Sequence, residues 1–539
     1  MICNIISDKD KFKKLDKDPT ISREKKLQRF LLSLKKKKAF TDVEYKYLYP
    51  VGSNIARIYG TPKIHKLDNT KNVSEVLEKL KLRPIISSIG TYNYNLAKFL
   101  TDKLSPHISR KYSVNDTFTF VNEINNVKSK DKYLTSFDVV SLYTNIPLDE
   151  TIKIAVDIIM EKNPDIKINK VELTQLFKFA TSGTHFLFDD NIYDQIDGVA
   201  MGSPLAPVLA NLFMGYHENN WINNYTGTTP LIYKRYVDDI FCLFNNENDA
   251  LLFLEYLNKQ HPNIKFTSEA EVNGKLPFLD IEIQKRDGGG FITSIFHKMS
   301  YTGLLTNFLS FTPSSYKLAL IKTLIHRTYQ ICNCWNKFQN DIENLKHTLK
   351  RNNYPSKLID KTLGKYLDNV FKPNIDEDTN TLNTYYFKLP YIGDTSNTTR
   401  KKIKTLCKKY CKSINIIFCF NTCKLNSFFS TKSKSPSYLQ ASVVYLFHCF
   451  NCAVEYVGQT TRHCSIRVSE HLLSDKSSHI FKHLKSNVNC KNSNSASSFK
   501  IIDSADTEYT LKLKEALHIK WIKPVLNAQK NHLNINLTI

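Results

Sequence analysis

What this chain lacks narrows its possibilities first. No apolar run in its 539 residues approaches the ~20 residues that a helix needs to span a bilayer, so no membrane embedding is expected. The start, MICNIISDKDKFKK, does not follow the signal-peptide order of basic start, apolar middle and small-residue cleavage site. The chain is therefore expected to stay in a reducing compartment, where its 12 cysteines serve as thiols or metal ligands rather than disulfides. Acid is scarce: 75 Lys and Arg face 51 Asp and Glu, a net charge of +24. Residues 395–454 contain no acid at all. Such an excess predicts a polyanionic partner, most simply nucleic acid. A merely basic protein is the plainer alternative.

Length predicts about two to four domains, and a hydrophobic content of 42% is ample for cores. Residues 1–50 carry a basic helical pattern, with 13 Lys and Arg against 5 acids in residues 1–40. That run reads equally as a solvated face or as a phosphate contact. Residues 55–60 and 82–87 look like two short strands. Lys63 and Arg83 beside them could clamp a triphosphate, one as a point charge and the other as a planar fork. An ordinary basic hairpin explains them as well.

Three carboxylates stand out. Asp138 is delivered by the apolar stretch around Phe137, and Tyr143 follows it. Asp238 and Asp239 sit between residues 231–233 and 240–244, two apolar runs that read as a hairpin with the acids at its turn. Carboxylates gathered at a strand end and a tight turn suit Mg²⁺ or Mn²⁺, hard ions that prefer oxygen ligands. Together they would make a two-metal site for phosphoryl transfer. Residues 198–207 place two glycines and two prolines before a helix, and Gly202 there would let backbone approach a base pair. Tyr143 would pack under an incoming sugar, or simply in a core.

In this order, Phe137-Asp138, the turn from Gly202 to Pro207 and Tyr236-Val237-Asp238-Asp239 resemble reverse transcriptase motifs. Residues 59–66, 136–147 and 277–281 resemble the Penelope-like retroelement branch, over roughly residues 10–330 in all. The resemblance implies an α+β right-hand polymerase: fingers and palm over 51–300, the palm holding Asp138, Asp238 and Asp239, and a thumb-like helical region over 301–350. It offers Lys275 as a proton donor to pyrophosphate, with a surface lysine as the alternative. The branch carries more sequence upstream, which leaves room for a truncated start. Residues 351–439 read as a polar, then basic, linker, and Cys332-Asn333-Cys334 as structural.

The last part has its own constellation. Residues 443–447 and 455–460 read as paired strands, with Arg467 and His471 four apart on a following helix. Glu515 and Asn527 come later. This arrangement, over residues 440–530, resembles the GIY-YIG endonuclease, a small α/β domain, although Val443-Val444-Tyr445 stands where that motif has Gly-Ile-Tyr. The resemblance implies that Tyr456, Tyr445 and His471 position water, Arg467 stabilises the pentacoordinate phosphate, Glu515 holds a divalent metal and Asn527 orients local structure. Arg462 is the competing arginine, better suited to a phosphate contact. Cys449, Cys452, His479 and His483 have the spacing of a tetrahedral Zn²⁺ site. His448, His463, Cys464 and Cys490 are possible substitutes.

The expected protein is thus a retrotransposon reverse transcriptase fused to a DNA-nicking endonuclease. Its partners would be an RNA template, a DNA primer and target DNA, and deoxynucleoside triphosphates. A chromosomal substrate implies residence in the nucleus. The alternative is a catalytically decayed nucleic-acid-binding relic.

Overall fold

The computed structural model describes residues 2–63, 80, 82–128, 130–164, 166–372, 383–411, 413–422, 424 and 435–527. These residues form a mixed α/β fold that divides into two compact units. The first combines Met1–Ser109, Ser141–Asn219 and Lys434–Ile539, and the second Arg110–Val140 and Asn220–Ser433.

The first unit holds a five-stranded sheet in the order Phe12–Leu15, Asn191–Gln195, Thr184–Phe188, Ala56–Pro62, Leu82–Ser87. Its neighbours are antiparallel except Ala56–Pro62 against Thr184–Phe188. Residues 1–50 are therefore not wholly helical. Phe12 is apolar and buried among lysines, and its strand completes the sheet by pairing with residues far along the chain. Helix Thr20–Lys36 buries Leu27, Leu31 and Leu34, each contributing about 1.5–3 kcal/mol by leaving water. Its lysines take the outer face, as amphipathic periodicity requires. Helix Lys170–Thr181 starts at a capping box between Asn169 and Glu172, which fixes where it begins.

The same unit contains a three-stranded antiparallel sheet with Val443–His448 at its centre, between Glu455–Thr460 and Phe499–Ser504. Helix Glu508–Ile522 packs on this sheet. The sheet domain is joined to the amino-terminal segment by buried contacts. His463 has none of its surface exposed, and its Nε2 donates to the Ser53 carbonyl (2.9 Å). The Ser53 amide in turn donates to buried Glu24 (2.8 Å).

The second unit is built on a four-stranded antiparallel sheet: Ile232–Tyr236, Asp239–Phe244, Tyr133–Val139, Phe266–Ala270. Residues 240–244 of the second strand are fully buried, so both of its faces are covered. A three-stranded sheet follows, Lys275–Phe278, Ile281–Lys285 and Phe291–Ile295, and Phe278, Ile281 and Ile283 share one core with Phe120 and Phe241. Residues 277–281 form a hairpin: Phe278 pairs with Ile281, and Leu279 and Asp280 both have positive φ.

Helices Ser314–Ile331, Trp335–Arg351 and Ser356–Phe371 then pack together around Ile325, Phe338, Ile342 and Ile359. The third of these corrects the linker reading of residues 351–439. Its average polarity hides an amphipathic stripe of Leu358, Ile359, Leu363 and Tyr366, which closes the three-helix core. Strands Asn383–Pro390 and Ile414–Asn421 pair in parallel around helix Asp394–Tyr410, so the basic part is folded too. The acids at 376–378 lie outside the described residues. No described helix is long and apolar enough to cross a membrane, and the described cysteines are free thiols.

Candidate active sites

In the second unit, Asp138 lies directly opposite Asp239 across two antiparallel strands. Directly opposed side chains project from the same face, with Cβ atoms roughly 4.5–5.5 Å apart. Asp239 also pairs with Tyr236, so Val237 and Asp238 form a two-residue hairpin loop. The Val139 amide donates to the Asp238 carbonyl (3.0 Å), tying that loop to the Asp138 strand. All three predicted carboxylates thus meet at one end of one sheet. Val237 has φ of +57°, and a β-branched residue in the left-handed region is strained. Arg235, 1% exposed, donates from Nη1 to the Val237 carbonyl (3.1 Å). The loop is held in a conformation its sequence resists.

Electrostatics follow from the crowding. Asp239 is pushed up to about 6 by burial of its carboxyl first, then by the charges of Asp238 and Asp138; Lys298 opposes this weakly. The residue as a whole remains exposed, so the group is reachable while protein presses on its inner side. Mutually repelling carboxylates with an open side fit a divalent cation, which takes carboxylate oxygens and removes the repulsion. Lys275 pairs with Glu282 (3.2 Å).

The other predicted nucleotide contacts lie in the first unit. Thr61 pairs with Arg83, so Lys63, which follows the strand end, and Arg83 occupy the same end of one hairpin. Ile64, His65 and Lys66 fall outside the described residues. The Val199 amide donates to the Tyr143 carbonyl (2.8 Å), the Ile86 amide to Met201 (2.7 Å), and Ser88 Oγ to the Gly202 carbonyl (2.8 Å). Gly202 has φ of +119°, and a Cβ there would fall 2.2 Å from the Ile86 carbonyl oxygen. Only glycine fits that place. Lys63, Arg83, Tyr143 and Gly202 thus belong to segments joined within one unit.

The second constellation is also in the first unit. Tyr445 is buried and pairs across the strands with Gly458. A Cβ on Gly458 would lie 2.6 Å from Tyr445 Oη and 2.7 Å from the Tyr456 ring, so the glycine lets the two tyrosines converge. The Tyr445 hydroxyl is hydrogen-bonded to His471 Nε2 (2.6 Å), and His471 Nδ1 to Ser478 Oγ (2.5 Å). Burial, then the Arg467 charge, holds His471 down at about 4, so the ring is neutral. Arg467 binds Glu470 (3.2 Å) and Asp475 (3.0 Å). Glu515 is pushed up to about 7 by burial, against a backbone hydrogen bond from Gln459. Tyr456 is raised by burial and then by the Glu515 charge. Asn527 accepts from the Val457 amide (2.9 Å) and donates to its carbonyl (2.8 Å), pinning the following segment to the strand. Arg462 instead makes a two-pronged pair with Glu470 (2.6 and 2.7 Å). Asp475 and Ser478 were not singled out from sequence. The Ser-Asp-Lys-Ser-Ser stretch that holds them looks like a plain polar turn.

Beside this site, Cys449, Cys452, His483 and Cys490 bring their ligand atoms within 4.8 Å of one another. Cys490 replaces the predicted His479. His479 is exposed at the start of helix His479–Ser486, while Cys490 is buried on the next helix, Val488–Ser493. Cys490 and Cys452 sulfurs are 3.7 Å apart, and Cys452 Sγ is 3.5 Å from His483 Nε2. Tetrahedral zinc with bonds of about 2.3 Å would set its sulfurs roughly 3.8 Å apart. The donor set fits that ion.

A family model described as reverse transcriptase (RNA-dependent DNA polymerase) matches residues 69–270, which include Asp138, Asp238 and Asp239. The chain carries a reverse transcriptase domain. A model described as an animal helix-turn-helix domain matches residues 304–364, which take in the first two helices of the three-helix core, in the region expected to be a thumb, and the start of the third. No curated relative matches. Among solved structures, apo telomerase from Candida tropicalis is similar at 12% identity and a TM-score of 0.36, covering 61% of this chain and 59% of that one. Sicinivirus 3Dpol RNA-dependent RNA polymerase is similar at 11% and 0.37, covering 61% and 71%. Telomerase from Candida albicans with a fragment of telomeric RNA is similar at 11% and 0.37, covering 65% and 61%. The chain thus spans about three fifths of the telomerase chains it resembles.

Proposed function

We propose that this chain is the RNA-directed DNA polymerase of a Penelope-like retrotransposon, fused to a GIY-YIG endonuclease that nicks DNA to provide a primer. The observation that carries the polymerase half is the opposition of Asp138 and Asp239 with Asp238 in the adjoining loop, inside the matched reverse transcriptase segment. Asp138, Asp238 and Asp239 would hold the divalent ions. When bound, Mg²⁺ or Mn²⁺ supplies charge neutralisation at the triphosphate and acidifies the primer 3′-hydroxyl. Arg235 and the Val237 loop fix the carboxylates, so little reorganisation accompanies the transfer. Lys63 and Arg83 bind phosphate oxygens, Tyr143 packs under the sugar, and Gly202 lets backbone approach the new base pair.

The nuclease half is supported by the convergence of Tyr445, Tyr456 and His471, with Glu515 acting electrostatically on Tyr456. Neutral His471 holds the Tyr445 hydroxyl, and Tyr456 orients the attacking water. Arg467, fixed by Glu470 and Asp475, meets the developing phosphate charge. Glu515 would hold a divalent metal, and Cys449, Cys452, His483 and Cys490 a structural Zn²⁺. RNA template, target DNA, deoxynucleoside triphosphates and a nuclear site of action belong to this reading.

The test is primer extension on an RNA template with Mg²⁺, comparing the intact chain with Asp238→Ala/Asp239→Ala. Extension lost in the double variant supports the reading. A folded intact chain that extends nothing favours a relic that binds nucleic acid without copying it. Nicking of supercoiled plasmid by the intact chain, lost in Arg467→Ala, tests the nuclease half separately.

A further inference from the structure

The parallel strand pair in the second unit is oddly bare. Parallel strands ordinarily have both faces covered, and two strands alone are marginal. Yet every residue of Asn383–Pro390 except Leu389 is exposed, and Tyr385, Tyr386 and Phe387 expose 57%, 70% and 46% of their surface. Burying such aromatics is what normally stabilises a strand. Something outside the described residues is expected to meet them.

Register and burial say which side matters. Tyr385 and Phe387 lie opposite Ile416 and Phe418, whereas Tyr386 lies opposite Ile417. Ile416, Phe418 and Phe420 form the better-covered side of Ile414–Asn421. Helix Asp394–Tyr410 packs on that strand, with Arg400 over the Phe420 ring at 5.9 Å. Tyr385 and Phe387 therefore stand on the helix side, on the outer strand. A T-shaped contact with Phe418 (5.7 Å between centroids) steadies Phe387. Two residues apart on a strand, they are roughly 6.6 Å apart.

The charge beside them has one sign. The helix carries Arg400, Lys401, Lys402, Lys404, Lys408 and Lys409 against Asp394 alone, and residues 395–454 hold no acid. Among the described residues, none of these six cations is in an ion pair. Exposed aromatics next to unneutralised cations combine a stacking surface with a phosphate track, which is how unpaired strands are held. A duplex offers no free base faces to stack.

We infer that residues 383–421 form a binding platform for single-stranded nucleic acid, with bases stacking on Tyr385 and Phe387 and phosphates lying along helix Asp394–Tyr410. This rests on the reading that the chain handles nucleic acid, but not on its polymerase or nuclease chemistry. Anisotropy of the full-length chain with a labelled 20-nucleotide single strand, in RNA and DNA forms, and with a duplex, tests it. Tyr385→Ala/Phe387→Ala should weaken single-strand binding about tenfold or more and leave duplex binding unchanged. Tyr385→Phe/Phe387→Tyr should restore it. Lys401→Gln/Lys402→Gln/Lys404→Gln should flatten the salt dependence, which the aromatic variant should not.

Equal losses on single strand and duplex, or no loss in a variant with unchanged thermal unfolding, would overturn the proposal. So would binding of anionic phosphatidylserine vesicles that depends on the same aromatics while single strands do not. If the intact chain fails to extend a primer but the aromatic variant still loses single-strand binding, the platform stands and the polymerase reading falls.

Discussion

Arg235 reaches the carbonyl oxygen of Val237 at 3.1 Å from a site with only 1% of its surface exposed. The loop that carries Asp238 is thus anchored from beneath by a buried cation. Left-handed φ at a β-branched residue costs about 1–3 kcal/mol, and this contact is one of those that offset it.

Val237→Gly should therefore raise stability while lowering primer extension, because the loop no longer has a defined shape. Arg235→Met should cost about 1.5–3 kcal/mol, the worth of a hydrogen bond from a charged donor, and reduce extension as well. Urea midpoints and single-turnover extension rates check both. Equal stability with full activity in either variant would remove the loop from the account.

The raised Asp239 gives a signed pH dependence. Its folded value of about 6 lies above the ordinary carboxylate range, so the folded state favours the proton. In metal-free protein this group's contribution to stability is complete at acid pH and is lost as pH rises toward and through about 6. Asp238→Asn removes one repelling charge. At pH 8 it should raise the melting temperature of metal-free protein and shrink the further rise on adding Mg²⁺. In the unaltered chain, apparent Mg²⁺ affinity should fall as pH drops below about 6. Calorimetry across pH measures each; a Mg²⁺ affinity flat from pH 5 to 8 would contradict the assignment.

Glu515 behaves the same way one step higher. It is ionised above about 7, so nicking should climb through that pH, while His471 stays neutral across the range. Glu515→Gln should abolish nicking, leave primer extension intact and raise the melting temperature at pH 8.5. A nicking profile unchanged by this substitution would take Glu515 out of the metal site.

The cysteine cluster separates two ligand sets. Cys490→Ser should lower zinc content and melting temperature as much as Cys452→Ser does, and His479→Ala should change neither. Elemental analysis after purification, with and without a chelator, reads this directly. Zinc loss in His479→Ala alone would restore the set expected from spacing.

Much of this was legible in the residues because local pattern and long-range structure agree. The apolar runs around Asp238-Asp239 gave a hairpin that begins and ends within a residue or two of expectation. The glycine requirement at Gly202 could be anticipated from small residues at a crowded turn, although the atoms it makes room for could not; Gly458 sits inside a strand, where only the facing Tyr445 and Tyr456 reveal its need. What escaped was set by partners distant in sequence. Phe12–Leu15 is a strand only because Asn191–Gln195 offers it an edge. Cys490 competes with His479 through helix placement, which spacing does not encode. The helix at Ser356–Phe371 was hidden by its lysines and aspartates, although its apolar period was there to be counted.

The hydrogen bond from His463 to Ser53 joins residues 410 positions apart, and it bears on how the protein is made. A ribosome moving at about 5–20 residues per second delivers Ser53 long before its partner exists. Until then Glu24 and Ser53 wait with a surface that only the final fifth of the chain covers. The nascent protein therefore has a late step, and a premature stop codon upstream of residue 463 would injure the beginning of the molecule as well as remove its end.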